Sequence, residues 1–156
     1  MAIRILLADD HEIVREGIRT LVARSGRGWE ICGEARNGKE AVEMARTLKP
    51  DVAVLDITMP EMSGLEAAKQ ISTSSSVCRS LIFTMHESSR LGIEAQQAGA
   101  QGYVIKSQAA RDLIRAIDDI LGGKTFFGGP TEPEKEKPGK SRGTLNALLF
   151  RVTAFA

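Results

Sequence analysis

The sequence predicts an α/β fold: a doubly wound, five-stranded parallel sheet with helices on both faces. Short apolar runs alternate along the chain with longer stretches in which apolar residues recur at helical spacing. This alternation is typical of buried strands joined by crossover helices. A chain of 156 residues fits one such domain and can bury a substantial core.

The five strands are predicted at the apolar runs 3–8, 30–35, 51–55, 80–84 and 102–105. We expect each strand–helix–strand crossover to be right-handed. Ligands of such sheets bind beyond the carboxyl ends of the strands, where the strand order reverses. The residues that follow the strands are therefore the first candidates for a functional site.

The first two helices are predicted from apolar residues that share one helical face. The stripe of the first helix consists of Ile13, Val14, Ile18, Leu21 and Val22. Gly26 and Gly28 follow this helix as stop signals. The second helix carries Ala41, Val42, Ala45 and Leu48 on one face and ends before Pro50.

The other three helices differ in how clearly the sequence delimits them and in their predicted stability. The third begins after the turn at 60–64 and fades into the serine-rich run at 72–76. The fourth, at about 89–98, has Gly92 in its middle and few large apolar residues, so we predict that it is the least stable. The fifth ends at Gly122 and Gly123, and its apolar stripe consists of Leu113, Ile114, Ile117, Ile120 and Leu121.

Charge, the N-terminus and the apolar runs give no sign of nucleic-acid binding, secretion or membrane insertion. With 21 basic and 20 acidic residues the net charge is +1, so no overall field favours nucleic acid. The N-terminus lacks the consecutive charged, apolar and cleavable regions of a signal peptide, and no apolar run approaches the roughly 18 residues that would span a bilayer. We expect a cytoplasmic protein that does not enter the membrane.

Three aspartates follow predicted strands. Asp9 and Asp10 close the first strand and Asp56 closes the third. If these strands are neighbours, the carboxylates share one crevice and repel each other by several kcal/mol at an effective dielectric constant of about 20. Hard oxygen ligands favour Mg²⁺ or Mn²⁺ there rather than zinc. One aspartate alone could equally be a helix cap, but three at strand ends argue for a cation site.

Two further polar residues occupy strand ends. Thr84 closes the fourth strand and Lys106 follows the fifth. Taken alone, the first is an ordinary strand residue and the second a solvated side chain. Together with the three acids they form a joint pattern at four strand ends, which points to one site.

This pattern resembles the receiver domain of two-component response regulators over residues 3 to about 122. The matching motifs are Leu-Ala-Asp-Asp-His at 7–11, Leu-Asp-Ile-Thr-Met-Pro-Glu-Met-Ser-Gly at 55–64, Phe-Thr-Met-His at 83–86 and Gly-Ala-Gln-Gly-Tyr-Val-Ile-Lys at 99–106. The third and fourth motifs are similar to those of the LuxR-type subfamily. The resemblance implies the flavodoxin-like strand order 2-1-3-4-5.

The resemblance also implies roles for the acids. Asp56 would be the phosphoacceptor, which receives its phosphoryl group from a sensor histidine kinase. Asp9 and Asp10 would hold Mg²⁺ (or Mn²⁺) together with the Asp56 carboxylate and the backbone carbonyl of Thr58, with Asp9 acting through water. Phosphoryl transfer needs such a nucleophile and cation more than it needs a proton shuttle.

The remaining implied roles concern the switch. Lys106 would pair with the phosphoryl oxygens, Thr84 would donate a hydrogen bond to one of them, and Tyr103 would be the aromatic residue whose rotamer follows Thr84. Tyr103 could also be a plain core aromatic. We expect a switch rather than an enzyme. LuxR-type relatives often associate through their first and fifth helices, so a phosphorylation-dependent homodimer is expected.

Two rival classes fit the residues less well. A haloacid-dehalogenase-type phosphatase phosphorylates an aspartate but needs a second aspartate two positions later, where this chain has Thr58. A flavodoxin-like cofactor module needs a phosphate-binding loop of Ser, Thr or Gly after the first strand. The acids at Asp9 and Asp10 would repel that phosphate, although His11 beside them could be a ligand or base.

Two features depart from the LuxR-type pattern. Many receivers have a proline after the lysine, whereas this chain has Ser107, which we expect to cap the fifth helix.

The second departure is the C-terminal part of the chain. We place the receiver at 1–122 and a linker-like tail at 123–156. In the tail, Leu145, Leu148, Leu149 and Val152 suit a short docking helix, and a frayed or misaligned end of a truncated gene is an equal alternative. The usual helix-turn-helix is not expected here, nor is direct DNA binding, so the output is protein contact. The alternative is a truncated LuxR-type transcriptional regulator lacking its DNA reader.

Overall fold

A computed structural model of the chain describes residues 2–74, 77–85 and 87–127. Its five strands are β1 (Arg4–Ala8), β2 (Glu30–Ala35), β3 (Val52–Asp56), β4 (Arg79–Thr84) and β5 (Gly102–Ile105). They form one parallel sheet in the order β2-β1-β3-β4-β5. The predicted fold class and strand order are confirmed.

Five helices connect or follow the strands, and a short 3₁₀ turn at Lys106–Gln108 precedes the last one. They are α1 (Glu12–Arg24), α2 (Gly38–Leu48), α3 (Gly64–Ser74), α4 (Leu91–Gln97) and α5 (Ala109–Leu121). Within the described residues, no helix has the length and apolar character needed to cross a membrane.

The core consists of two apolar clusters, one on each face of the sheet. Alternate residues of the central strands point to opposite faces, so that Leu6 and Leu55 pack with α2, α3 and α4, while Leu7 and Val54 pack with α1 and α5. All these side chains are buried. Burial on both faces explains why the strands read as continuous apolar runs.

The predicted apolar stripe of α1 is wrong at one position. Ile13 is 78% exposed, whereas Arg15 is buried together with Ile18 and Val22. Residues 15, 18 and 22 follow the helical period that faces the sheet, and residue 13 lies well off that face. A guanidinium therefore occupies a core-facing position, and its partners lie at the functional site.

Two predicted details near α4 and α5 also differ. Helix α4 begins at Leu91 rather than near residue 89, which places Gly92 in its first turn, and it has no side-chain cap. Ser107 does not cap α5, because it lies inside the 3₁₀ turn and Gln108 occupies the N-cap position without a side-chain bond. The turn continues β5 directly into the helix, so Ser107 is never at the helix boundary.

The packed unit continues beyond the predicted boundary at residue 122. The Phe126 N–H donates to Gln101 O and the Tyr103 N–H donates to Phe126 O, each at 2.9 Å. This short parallel bridge lies along β5, and the buried Phe126 ring joins the core next to α5. A two-residue aromatic pair shows no periodicity, so its packing could not be read from sequence. The predicted helix containing Leu145 lies outside the described residues.

Phe126→Ala should lower the free energy of unfolding by about 3–5 kcal/mol, because it removes a buried aromatic side chain. The Arg115 guanidinium, 5.3 Å from the ring centroid, would lose its partner too. Urea unfolding measures the effect, and Thr125→Ala at an exposed neighbouring position is the control. Equal stability of the two variants would show that this segment does not belong to the folded unit.

Candidate functional site

Four strand ends meet at one edge of the sheet. Asp9 follows β1, Asp56 and Thr84 end β3 and β4, and Lys106 follows β5. Parallel strands place their carboxyl ends together, and a cleft of about 610 Å³ opens there. Its lining includes Asp10, Asp56, Thr58, Thr84 and Lys106.

Asp9 and Asp56 share the ammonium of Lys106. Lys106 Nζ lies 2.8 Å from Asp9 Oδ2 and 3.3 Å from Asp56 Oδ1. Both carboxylates are buried, at 1% and 3% exposure. One positive charge therefore faces two negative charges in a region with little solvent screening.

The pKa of the Asp56 carboxyl reflects its burial first and this charge imbalance second. Burial raises the pKa of the Asp56 carboxyl above its ordinary value, and the negative charge of Asp9 raises it further. The charge of Lys106 and the Thr58 N–H, which donates to Asp56 Oδ1 at 3.3 Å, act in the opposite direction. Because the net pKa is raised, an added cation would reduce the repulsion between the two carboxylates and favour the charged form of Asp56.

The donor set suits a hard divalent cation. Asp9, Asp10, His11 and Asp56 each place one ligand atom within 4.8 Å of the others, and three of the four are carboxylates. Among the described residues, no donor makes a hydrogen bond of good geometry to the buried Asp9 Oδ2, although Lys106 Nζ lies close to it. This under-satisfied oxygen fits the cation predicted from the three strand-end acids.

His11 lies at the rim of this cluster. Its Nδ1 is 3.2 Å from both Asp9 Oδ1 and Asp10 Oδ1, and its backbone N–H donates to Asp9 Oδ1 at 2.8 Å. The side chain is 65% exposed. The backbone of His11 therefore orders the loop after β1 that carries Asp9 and Asp10, here called the acid loop, while the imidazole ring remains largely in solvent.

The loop after β3 approaches Asp56 closely. A Cβ at Gly64 would lie 2.1 Å from the Asp56 backbone oxygen, so a side chain there would force the chain apart. The Gly64 N–H donates to Ile57 O at 3.1 Å. Glycine thus lets α3 begin directly against the strand that carries Asp56.

Tyr103 lies on the same face of the sheet as Thr84. It pairs with Ile82 across β4 and β5, and Thr84 is two residues further along β4. The Tyr103 ring is buried at 7% exposure and its centroid lies 6.5 Å from that of Phe127. The two residues predicted to act together are therefore neighbours on one surface.

Arg15 was not predicted as a site residue. Its Nη1 donates to the backbone oxygen of Asp9 at 2.7 Å, and its Nε donates to Glu34 Oε1 at 2.8 Å. The signal available in the sequence was an arginine at helical spacing from Ile18 and Val22. A charge on the buried face of a helix needs partners.

A family model of the response regulator receiver domain matches residues 5–118. The strand order, the acids at the strand ends and the lysine after β5 agree with that match. The chain belongs to the response regulator receiver domain family.

Individual relatives place the chain among response regulators. It is 40% identical over 124 residues to the transcriptional regulatory protein YdfI of Bacillus subtilis (strain 168) and 37% identical over 125 residues to the response regulator UvrY of Escherichia coli (strain K12). Each alignment covers 80% of this chain and 57% of the relative. The chain thus spans little more than half the length of these two curated relatives.

Solved structures agree with this placement. A crystal structure of a LuxR-family two-component response regulator from Aurantimonas sp. SI85-9A1 matches with a TM-score of 0.78 and 40% identity. The match covers 86% of this chain and 95% of that one.

Proposed function

We propose that this chain is a phosphorylation-controlled switch in which Asp56 accepts a phosphoryl group from a sensor histidine kinase. The observation that carries this proposal is the buried Asp56 carboxylate, which lines the cleft, lies 3.3 Å from Lys106 Nζ and stands beside a second buried acid. A carboxylate nucleophile next to a fixed ammonium suits phosphoryl transfer.

Mg²⁺, or Mn²⁺, is the proposed cofactor. Asp10, the Asp56 carboxylate and the backbone carbonyl of Thr58 would hold it directly, and Asp9 would act through water. When bound, the cation supplies positive charge for the carboxylates and for the incoming phosphoryl oxygens. The partial exposure of Asp10, at 33% of its side chain, suits direct contact with a hydrated ion, whereas the buried Asp9 already faces Lys106.

In the transfer step, an Asp56 carboxylate oxygen attacks the phosphorus in line with the leaving nitrogen of the phosphohistidine donor. The new O–P bond forms as the N–P bond breaks, and the electron pair returns to the imidazole. Lys106 stabilises the charge that spreads over the phosphoryl oxygens. No group in the chain needs to donate or accept a proton for this exchange.

The proposed response begins at Thr84. A phosphoryl group on Asp56 adds acceptor oxygens, to one of which the Thr84 hydroxyl would donate. Because Tyr103 lies on the same face, its ring can enter the space that Thr84 vacates. A Cβ at Gly92 would be 3.8 Å from Tyr103 Cε2, so the ring adjoins α4, the shortest of the described α-helices. The switch would thus change the surface of α4, β5 and α5.

Two other functions rank lower. The curated relatives of greater length are named as transcriptional or response regulators, so transcription control by a longer protein, whose receiver this chain would supply, is the runner-up. An Asp-nucleophile phosphohydrolase is a remote alternative, because Thr58 stands where that class needs an acid.

Acetyl phosphate with Mg²⁺ should add one phosphoryl group, and Asp56→Asn should abolish this addition because the nucleophile is lost. Intact mass spectrometry measures the adduct, and hydroxylamine should remove it as expected for an acyl phosphate. Asp118→Asn, a change on α5, is the matched control. Labelling that persists in Asp56→Asn would place the acceptor elsewhere.

Lys106→Ala and Thr84→Ala should still allow some labelling of Asp56 but should uncouple it from Tyr103. The chain has one tyrosine and one tryptophan, so NMR of the Tyr103 ring isolates its response better than fluorescence does. Thr84→Ser keeps the hydroxyl and should restore the ring shift. If both alanine variants switch like the wild type, the relay through these residues does not exist.

A second copy of the chain is the proposed partner of the surface near α1. Ile13, 78% exposed, lines an apolar groove of about 340 Å³ with Leu21 of α1 and Ala109 of α5. Phosphorylation can shift a dimer equilibrium by the coupling it creates, typically about 1–3 kcal/mol.

Beryllofluoride should therefore raise the mass measured by light scattering at a fixed concentration, and Ile13→Glu should suppress this rise by charging the groove. Val77→Glu, at a position 65% exposed, is the control. A mass that stays constant across concentrations would assign the output to another partner. Tight, sequence-selective DNA binding would contradict the protein-contact output.

A further inference from the structure

Arg15 is a buried cation that contacts the acid loop without lining the cleft. Its side chain is 6% exposed, which is costly for a guanidinium unless its donors are satisfied. Nη1 donates to Asp9 O at 2.7 Å, Nε donates to Glu34 Oε1 at 2.8 Å, and Nη2 lies 3.6 Å from Glu12 Oε1. The two shorter contacts therefore join α1 to the loop after β1 and to β2.

Glu34 holds the guanidinium in place. Its second oxygen accepts a hydrogen bond from Arg19 Nη1 at 2.5 Å. Burial acts to raise the pKa of Glu34, but the hydrogen bonds from Arg15 and Arg19 outweigh it and hold this pKa below its ordinary value. The carboxylate is therefore charged at neutral pH, and its hydrogen bond with Nε fixes the orientation of the Arg15 guanidinium.

The Asp9 backbone is consequently held on both sides. Its N–H donates to Ala35 O at 3.0 Å, which continues the β1–β2 ladder, and its carbonyl accepts from Arg15. That carbonyl belongs to the planar peptide unit that joins Asp9 to Asp10. Fixing this plane restricts the direction in which the Asp10 side chain leaves the backbone and enters the cleft.

We propose that Arg15 is a positioning residue for the cation-binding acids Asp9 and Asp10, and that Glu34 orients it. This inference rests on the proposed function, because it concerns the same cation site. Lysine cannot replace the arginine, since one ammonium cannot reproduce two donors that are fixed toward Asp9 and Glu34 in one plane. Partners that orient metal ligands typically contribute 10–100-fold to metal affinity.

Arg19 provides the matched control. It shares Glu34 with Arg15, and its hydrogen bond in the described structure goes to that carboxylate rather than to the acid loop. A purely structural role of the α1–β2 ion pairs would make Arg15 and Arg19 variants behave alike. If Arg15 positions the acids, its variant should lose Mg²⁺ affinity while the Arg19 variant should keep it.

The test is an NMR titration of the full chain with Mg²⁺, combined with urea unfolding. Arg15→Lys should weaken Mg²⁺ binding at least 10-fold, whereas Arg19→Ala should change it less than twofold. The rate of acetyl phosphate labelling in Arg15→Lys should approach the wild-type rate once Mg²⁺ saturates, because the nucleophile is intact. Unchanged Mg²⁺ affinity in Arg15→Lys, or equal losses in both variants, would overturn the proposal.

Glu34→Gln keeps the test decisive if Arg15→Lys does not fold. It retains the shape of the side chain and removes the charge that orients Arg15, so Mg²⁺ affinity should fall about 3–10-fold, a smaller loss than for the arginine itself. Wild-type affinity in Glu34→Gln would overturn the role of the pair. If the wild type binds Mg²⁺ but is not labelled at Asp56, the phosphoacceptor proposal fails, while the titration still decides the role of Arg15.

Discussion

The site depends on one unbalanced electrostatic interaction, in which a single ammonium faces two buried carboxylates. Lys106 lies 2.8 Å from Asp9 and 3.3 Å from Asp56, and Asp10 adds a further acid at the rim. In water such a cluster would be weakly coupled, but burial at the sheet edge removes much of the screening. Burial raises the pKa of the Asp56 carboxyl, and the negative charge of Asp9 raises it further. A bound cation or a phosphoryl group at this point would change the balance of charge that the surrounding loops carry.

The clustered charge lies at the end of a sheet whose central strands are packed into the core. The central strands are buried on both faces, and that burial opposes the cost of the clustered acids. Two local contacts then fix the geometry of the loops that carry the acids. Gly64 allows α3 to begin against Asp56, and Arg15 ties the loop after β1 to Glu34 on β2. Each of these contacts joins an acid-bearing loop to a packed element.

Much of this arrangement was predictable because it follows from local pattern. Every predicted strand agrees with the structure to within one residue at each end, and the strand-end rule placed Asp9, Asp56 and Lys106 together. The misses share a different cause. Burial of Arg15 depends on Glu34, nineteen residues away, and Phe126 depends on the edge of β5. Such positions are decided by tertiary contacts that neither periodicity nor propensity encodes.

The contacts of Tyr103 show how the outer strand β5 limits any movement near the site. Its N–H donates to Phe126 O, and a Cβ at the preceding Gly102 would lie 2.4 Å from that same oxygen. The backbone of β5 is therefore held by its neighbour, so the proposed movement of Tyr103 would be confined to its ring. The ring adjoins Gly92 of α4 and Phe127. Because α4 is short and buries few side chains, it opposes displacement less than the sheet does.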